Sequence, residues 1–271
     1  MTATFQNTSH TQIDFPKTSH LLEKFGMKFS AGGPHISRTM MLAEIDALLS
    51  AVPIGSAKGE YIAAVLQRNV LDKATDSTRK ESLRRLRELY ALDEATPIFG
   101  LLRKLHEIDA ISLPLLAVMV AWARDPLFRA TSNPILNASV GDRVETGDLA
   151  RALGVEFPNQ YSELSINQTA RHTASSWTQS GHLTGRAKKT RQLIRPTVAA
   201  VTMAFFLGEV AGYHGAAIFA NPWCVLLDLK PDRAKSLGME AHRAGLLNLR
   251  AVAEIVELSF PLLTKFEPLQ S

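Results

Sequence analysis

A chain of 271 residues with 46% hydrophobic and 21% charged side chains is long enough for one large or two modest domains, and too apolar for a disordered tail. Its one cysteine, Cys224, excludes an internal disulfide and a cysteine-built zinc cage; with no secretory signal in the first thirty residues, a reducing, cytoplasmic setting is expected. The formal net charge is only +4, so affinity for a polyanion has to come from where the charge sits rather than from its sum.

Residues 1–18 are rich in Thr, Ser and Gln, without apolar periodicity, and read as a flexible arm outside the fold. A helical domain is expected over 19–140. Ile36, Met40, Met41, Ile45, Leu48, Leu49 and Val52 recur at three- and four-residue steps, which predicts a helix ended by Pro53 and Gly55. A second helix is expected from Ser56 to Leu71. A third is capped by Asp76-Ser77-Thr78 and runs to Leu92, with Leu83, Leu86, Leu89 and Tyr90 inward. Its outer face carries Arg79, Lys80, Arg84, Arg85 and Arg87 beside Glu81 and Glu88. That spacing predicts ion pairing within the helix, with Arg79 and Arg84 as secondary candidates for contact with nucleic acid. Helices Pro97–Ile108 and Leu113–Ala123 follow, the latter apolar enough to be central. Asp125-Pro126 stops it. The turn-forming stretch from Asn133-Pro134 to Gly147 marks a boundary.

The next segment, 146–195, reads as winged-helix-like. A short helix begins after Thr146-Gly147-Asp148 and ends at Gly154. Ser165 then caps a longer helix through Ser180, in which Ile166, Ala170, Thr173, Ala174 and Trp177 face inward. Gln168, Arg171, His172, Ser175, Ser176 and Gln179 are expected outward, where small, polar or basic side chains reach phosphates and base edges. After Gly181, the run His182 to Arg195 has apolar flanks around a basic centre, which predicts a hairpin with Arg186, Lys188, Lys189 and Arg191 at its cationic tip. Between Tyr161 and Ala200 stand six basic residues and one acid, Glu163. A basic patch on a nearly neutral body is the electrostatic footprint of a phosphate-binding surface.

Asn69-Val70-Leu71-Asp72-Lys73-Ala74-Thr75-Asp76-Ser77-Thr78-Arg79, preceded by Met41-Leu42-Ala43-Glu44, resembles the BrxA family of accessory proteins from BREX bacteriophage-exclusion systems. The resemblance continues through Leu113 to Ala123 and Asp125-Pro126-Leu127-Phe128 to Ser180-Gly181-His182-Leu183, and covers residues 28–195. It implies a helical protein with a helix-turn-helix-like portion, DNA binding without catalysis, and a role beside a methyltransferase and ATPases in defence. Residues 196–271 depart from it as a C-terminal extension.

The apolar stretch Thr197 to Leu227 is interrupted by Glu209, His214, Asn221 and Pro222, leaving runs shorter than the roughly 20 residues that span a bilayer; it reads as a buried helix followed by a buried strand. Pro231 to Ala244 is expected as a helix, then Leu246–Arg250 and Glu254–Phe260 as short strands. No phosphate loop, nucleophile elbow or His-Glu-x-x-His helix is present. Asp228-Leu229-Lys230 with Glu209 upstream has the residue types of a metal-dependent nuclease, although Pro231 argues for Asp228 as a surface residue at a turn. His172, His182 and His214 lack a carboxylate or cysteine at metal spacing and are expected to be structural. The expectation is therefore a mainly α, non-catalytic partner of duplex DNA, without metal, cofactor or membrane. A protein-interaction subunit of a defence complex and a nuclease stand as alternatives.

Overall fold

Apolar periodicity in the first half of the chain is realised as α1 (His20–Phe25), α2 (Leu42–Ala51), α3 (Lys58–Leu66), α4 (Asp76–Tyr90), α5 (Pro97–Ile108), α6 (Leu113–Arg124), α7 (Pro126–Ala130) and α8 (Ser132–Leu136). The computed structural model describes residues 15–17, 19–252 and 255–261. Two expected helices are shorter than their patterns. Residues Pro34–Ile36 form a separate 3-10 turn and Met41 takes a left-handed conformation (φ 54°), so α2 begins only at Leu42. Helix α3 stops at Leu66 because Asn69 (φ 52°) reverses the chain, its side chain bonding both the N–H and the carbonyl of Lys73. Helix α4 is capped one residue earlier than expected, by Thr75, whose Oγ1 accepts the Thr78 N–H.

The chain then forms β1 (Arg143–Val144), α9 (Thr146–Glu156), α10 (Glu163–Gln179), β2 (Leu183–Thr184) and β3 (Lys189–Arg191). These strands make an antiparallel sheet of order β1-β3-β2, with Val144 opposite Lys189 and Leu183 opposite Arg191. Strand, two helices, then a hairpin whose second strand pairs back to the first is the winged-helix arrangement. Two details differ from expectation. Helix α9 runs through Gly154 to Glu156, and the cap of α10 is Ser162, which accepts the Ser165 N–H.

The extension contributes α11 (Val198–Val210), a 3-10 segment (Gly215–Ala220), α12 (Pro222–Leu226), α13 (Pro231–Arg243) and the antiparallel pair β4 (Asn248–Val252) and β5 (Ile255–Ser259); Glu254, expected in the second strand, lies outside the described residues. The strand expected up to Leu227 is instead a helical turn. Asn221 caps it by accepting the N–H groups of Trp223 and Cys224, and Pro222 takes the first helical position. The Asn221 amide also donates to the Ala204 and Ile218 carbonyls, which fastens this turn to α11. A Cβ on Gly208 would come within 2.6 Å of that amide.

Buried side chains form one continuous cluster from Leu22 to Phe260, with α6 and α11 inside it. Part of the expected arm joins this core: Phe15 lies 4.8 Å from Trp122 and 5.8 Å from Trp223 between ring centroids, with the Arg129 guanidinium 3.9 Å over its ring. Residues 1–14 and 18 lie outside the described residues. Among the described residues, no helix is long and apolar enough to cross a membrane.

Candidate nucleic-acid interface

Helix α10 is positioned from beneath by its apolar side. Trp177 is fully buried, stacks obliquely on Phe128 and donates from Nε1 to Thr131 Oγ1 at 3.0 Å. The side expected to face outward is itself divided. Its C-terminal half packs on residues 35–42: Ser176 Oγ accepts the Met40 N–H (2.8 Å), Gln179 Oε1 accepts the Leu42 N–H (3.4 Å), and His172 Nδ1 lies 2.9 Å from the His35 carbonyl. Ser176, Gln179 and His172 are thus held by the protein and do not form an open face. Burial, together with the charges of Arg38 and Arg171, holds His172 below the usual histidine range.

Asp125 organises this junction. Its Oδ1 caps α7 by accepting the Leu127 and Phe128 N–H groups, while Oδ2 accepts the His35 N–H at 2.9 Å and the His35 ring nitrogen Nδ1 at 2.7 Å. The His35 ring stacks on Phe128 at 4.5 Å, and its Nε2 lies 2.8 Å from Ser176 Oγ. Asp, His and Ser in series have the connectivity of a nucleophilic triad. All three side chains are sealed from solvent, however, and Ser176 Oγ is already engaged by the Met40 N–H and the His172 carbonyl. The series clamps the 33–42 segment to α10 and leaves no face for a substrate. Gly33 is required there, since a Cβ would sit 2.0 Å from Asp125 Oδ1.

The exposed residues of α10 are Glu163, Leu164, Asn167, Gln168 and Arg171; Leu164, Gln168 and Arg171 form, with Ser175, one stripe at three- and four-residue steps. The side chains of Gln168 and Arg171 are exposed and have no hydrogen-bond or ion-pair partner among the described residues. Ser175 is half-buried and donates to the Arg171 carbonyl. At the hairpin, the turn Gly185-Arg186-Ala187-Lys188 leaves Arg186 and Lys188 exposed. Gly185 (φ 91°) makes this turn possible; a Cβ there would meet the Lys188 carbonyl oxygen at 2.1 Å.

Two other residues expected at the tip are not there. Arg191 closes β3 on its inner side, 2% exposed, and pairs with Asp228 while donating to the Gln192 carbonyl. Asp228 Oδ2 accepts the Ile194 N–H at 3.0 Å. Arg191 is therefore a buried anchor of the hairpin, and Asp228 (φ 57°) is its partner rather than a free surface acid. Lys189 bends back along the hairpin to donate to Thr178 Oγ1 (2.8 Å) and the Gly185 carbonyl (3.1 Å), and burial lowers its pKa. Next to them His182 is fully buried between Ser180 and the Leu226 carbonyl, and desolvation lowers its pKa to about 4.

Of the secondary candidates, Arg84 is held by Glu81 and Glu88, and Arg79 by Asp76 and the Leu66 carbonyl. Glu209, the second acid of the nuclease pattern, sits 2.9 Å from His214, a carboxylate neighbour the sequence spacing did not reveal. Among the described residues no three His, Cys, Asp or Glu side chains gather as a metal site. The pattern missed Arg38. It is exposed on the segment clamped to α10 and contributes to the field at His172 together with Arg171; the two arginines stand 133 positions apart in the chain, so no local signal links them. No protein-family model and no curated protein sequence matches the chain.

Proposed function

We propose that the chain is a non-catalytic, duplex-DNA-binding protein that lays α10 in the major groove and rests the hairpin tip on the sugar-phosphate backbone. One observation carries this reading: within a winged-helix arrangement, the exposed, unpartnered polar and cationic side chains Gln168, Arg171, Arg186 and Lys188 fall on the helix stripe and the hairpin tip, where a duplex is read and where its phosphates are met. Arg38 adds a further cation beside Arg171. The resemblance of residues 28–195 to BrxA proteins points to an accessory role in BREX-type phage defence, beside a methyltransferase and ATPases.

Binding titrations of the full chain against several duplexes at several salt concentrations test the reading. Salt-dependent duplex binding supports it. Tight association with a defence-complex protein without any affinity for DNA overturns it in favour of an interaction subunit.

A further inference from the structure

A second cationic feature lies on α4 and α6, lined by none of the residues of α10 or its hairpin. Lys28, Lys80, Arg84, Arg87 and Arg124 line an open pocket of about 570 Å³ together with Leu83, Ala91 and one carboxylate, Glu88. The five cations are not equivalent. Arg84 shares Glu81 and Glu88 with Arg85. Lys28 and Arg124 both turn their donors to the carbonyl end of α4, Lys28 Nζ and Arg124 Nε to the Glu88 carbonyl at 3.3 Å, and Arg124 also to the Arg87 and Gly26 carbonyls.

Carbonyls offer partial charge only, so two cations, one of them buried, are hydrogen-bonded without being neutralised. Lys80 and Arg87, with Arg84 between them on one stripe of α4, are exposed and have no carboxylate partner among the described residues. Burial and the adjacent Arg124 charge lower the Lys28 pKa, opposed in part by Glu88 and Asp125.

We propose that this pocket is a binding site for the di- or triphosphate group of a small molecule. Such a group is compact and carries several charges in one place, which suits a single pocket lined by four cations that no carboxylate neutralises outright; an extended backbone presents single charges in a row. Lys28 and Arg124 supply fixed donors at the rear, and Lys80 and Arg87 close over the oxygens from the rim.

Inorganic pyrophosphate is the probe, titrated calorimetrically into the full chain at low ionic strength. Saturable binding of one pyrophosphate per chain is expected, weakened at least about tenfold in Lys80→Ala/Arg87→Ala, whose side chains are exposed and whose removal leaves the core intact. Arg186→Ala/Lys188→Ala should keep pyrophosphate affinity unchanged while losing affinity for duplex DNA, so that the two sites fail or hold independently. No saturable binding by the wild type, or undiminished binding by Lys80→Ala/Arg87→Ala, overturns the proposal. Duplex DNA binding that falls in parallel with pyrophosphate binding in that variant also overturns it, because the pocket would then be serving backbone phosphates.

Discussion

Arg191 and Asp228 form an ion pair with side chains only 3% and 13% exposed, joining the last residue of the hairpin to the turn between α12 and α13. Removing one partner of such a pair strands the other charge, a loss of about 3–5 kcal/mol. Arg191→Ala and Asp228→Ala should each lower the denaturation midpoint accordingly. Asp228→Asn should cost less, since asparagine tolerates the left-handed backbone and still accepts the Ile194 N–H. If Asp228→Ala left stability untouched and abolished a Mg²⁺-dependent cleavage instead, the anchoring role would be wrong.

A pH dependence follows from His182. Its pKa falls from an ordinary 6.5 to about 4 in the folded chain, so the unfolded chain takes up the proton first. The stabilisation is complete above pH 6.5, declines as pH falls toward 4, and amounts to about 3 kcal/mol. Burial shifts His106 and His172 downward too, with the same sign. Denaturation curves between pH 7 and 4 should therefore show falling stability, and His182→Gln should flatten the slope by up to one proton. An identical slope in the variant would show that His182 does not titrate as argued.

Contacts with DNA should divide between tip and helix. If the proposed DNA-binding reading holds, Arg186→Ala/Lys188→Ala would remove two phosphate contacts and should reduce the slope of log K against log salt by up to about 1.8 units, equally for all duplexes. Arg171→Ala should lower preference among duplexes by about 1–3 kcal/mol while sparing non-specific binding. Lys189 and Arg191 belong to the hairpin's own framework, and folded variants at these positions should alter stability more than the salt slope. An unchanged slope in the tip variant would take the hairpin off the DNA surface.

Phe15 tests the reach of the core toward the amino terminus. Its edge-to-face contact with Trp122 and the Arg129 guanidinium over its ring predict a loss of about 2–3 kcal/mol for Phe15→Ala. The readout is the denaturant midpoint at constant m-value. A change below about 0.5 kcal/mol would return residues 15–17 to the role of a loose arm.

Helix periods were legible from the sequence because they are local: Leu83, Leu86, Leu89 and Tyr90 announce one face of α4, and Trp177 with Ala170 and Ala174 announces the buried face of α10, whatever the rest of the chain does. The hairpin after Gly181 and the ion pairs of Glu81 and Glu88 with nearby arginines were legible for the same reason. Which member of a basic run is free was not. Lys188 and Arg191 are three residues apart in a uniform cationic stretch, yet the register that sets Leu183 opposite Arg191 turns one inward to Asp228, 37 residues away, and leaves the other at the tip.

Ser176 and Gln179 sit on the polar side of a helical wheel, and only the approach of residues 35–42 from the far end of the chain converts that side into an interface. Phe15 lies in a polar stretch whose composition resembles a tail, and it is ordered by two tryptophans more than a hundred residues away. The sequence by itself determined most of the helices and the hairpin, because backbone propensity and side-chain period act within a few residues; the turn at Pro222–Leu226, expected as a strand, is helical because Asn221 caps it from a position fastened to α11. Tertiary structure alone decided the exposed surface, because burial and charge pairing depend on partners that chain distance hides.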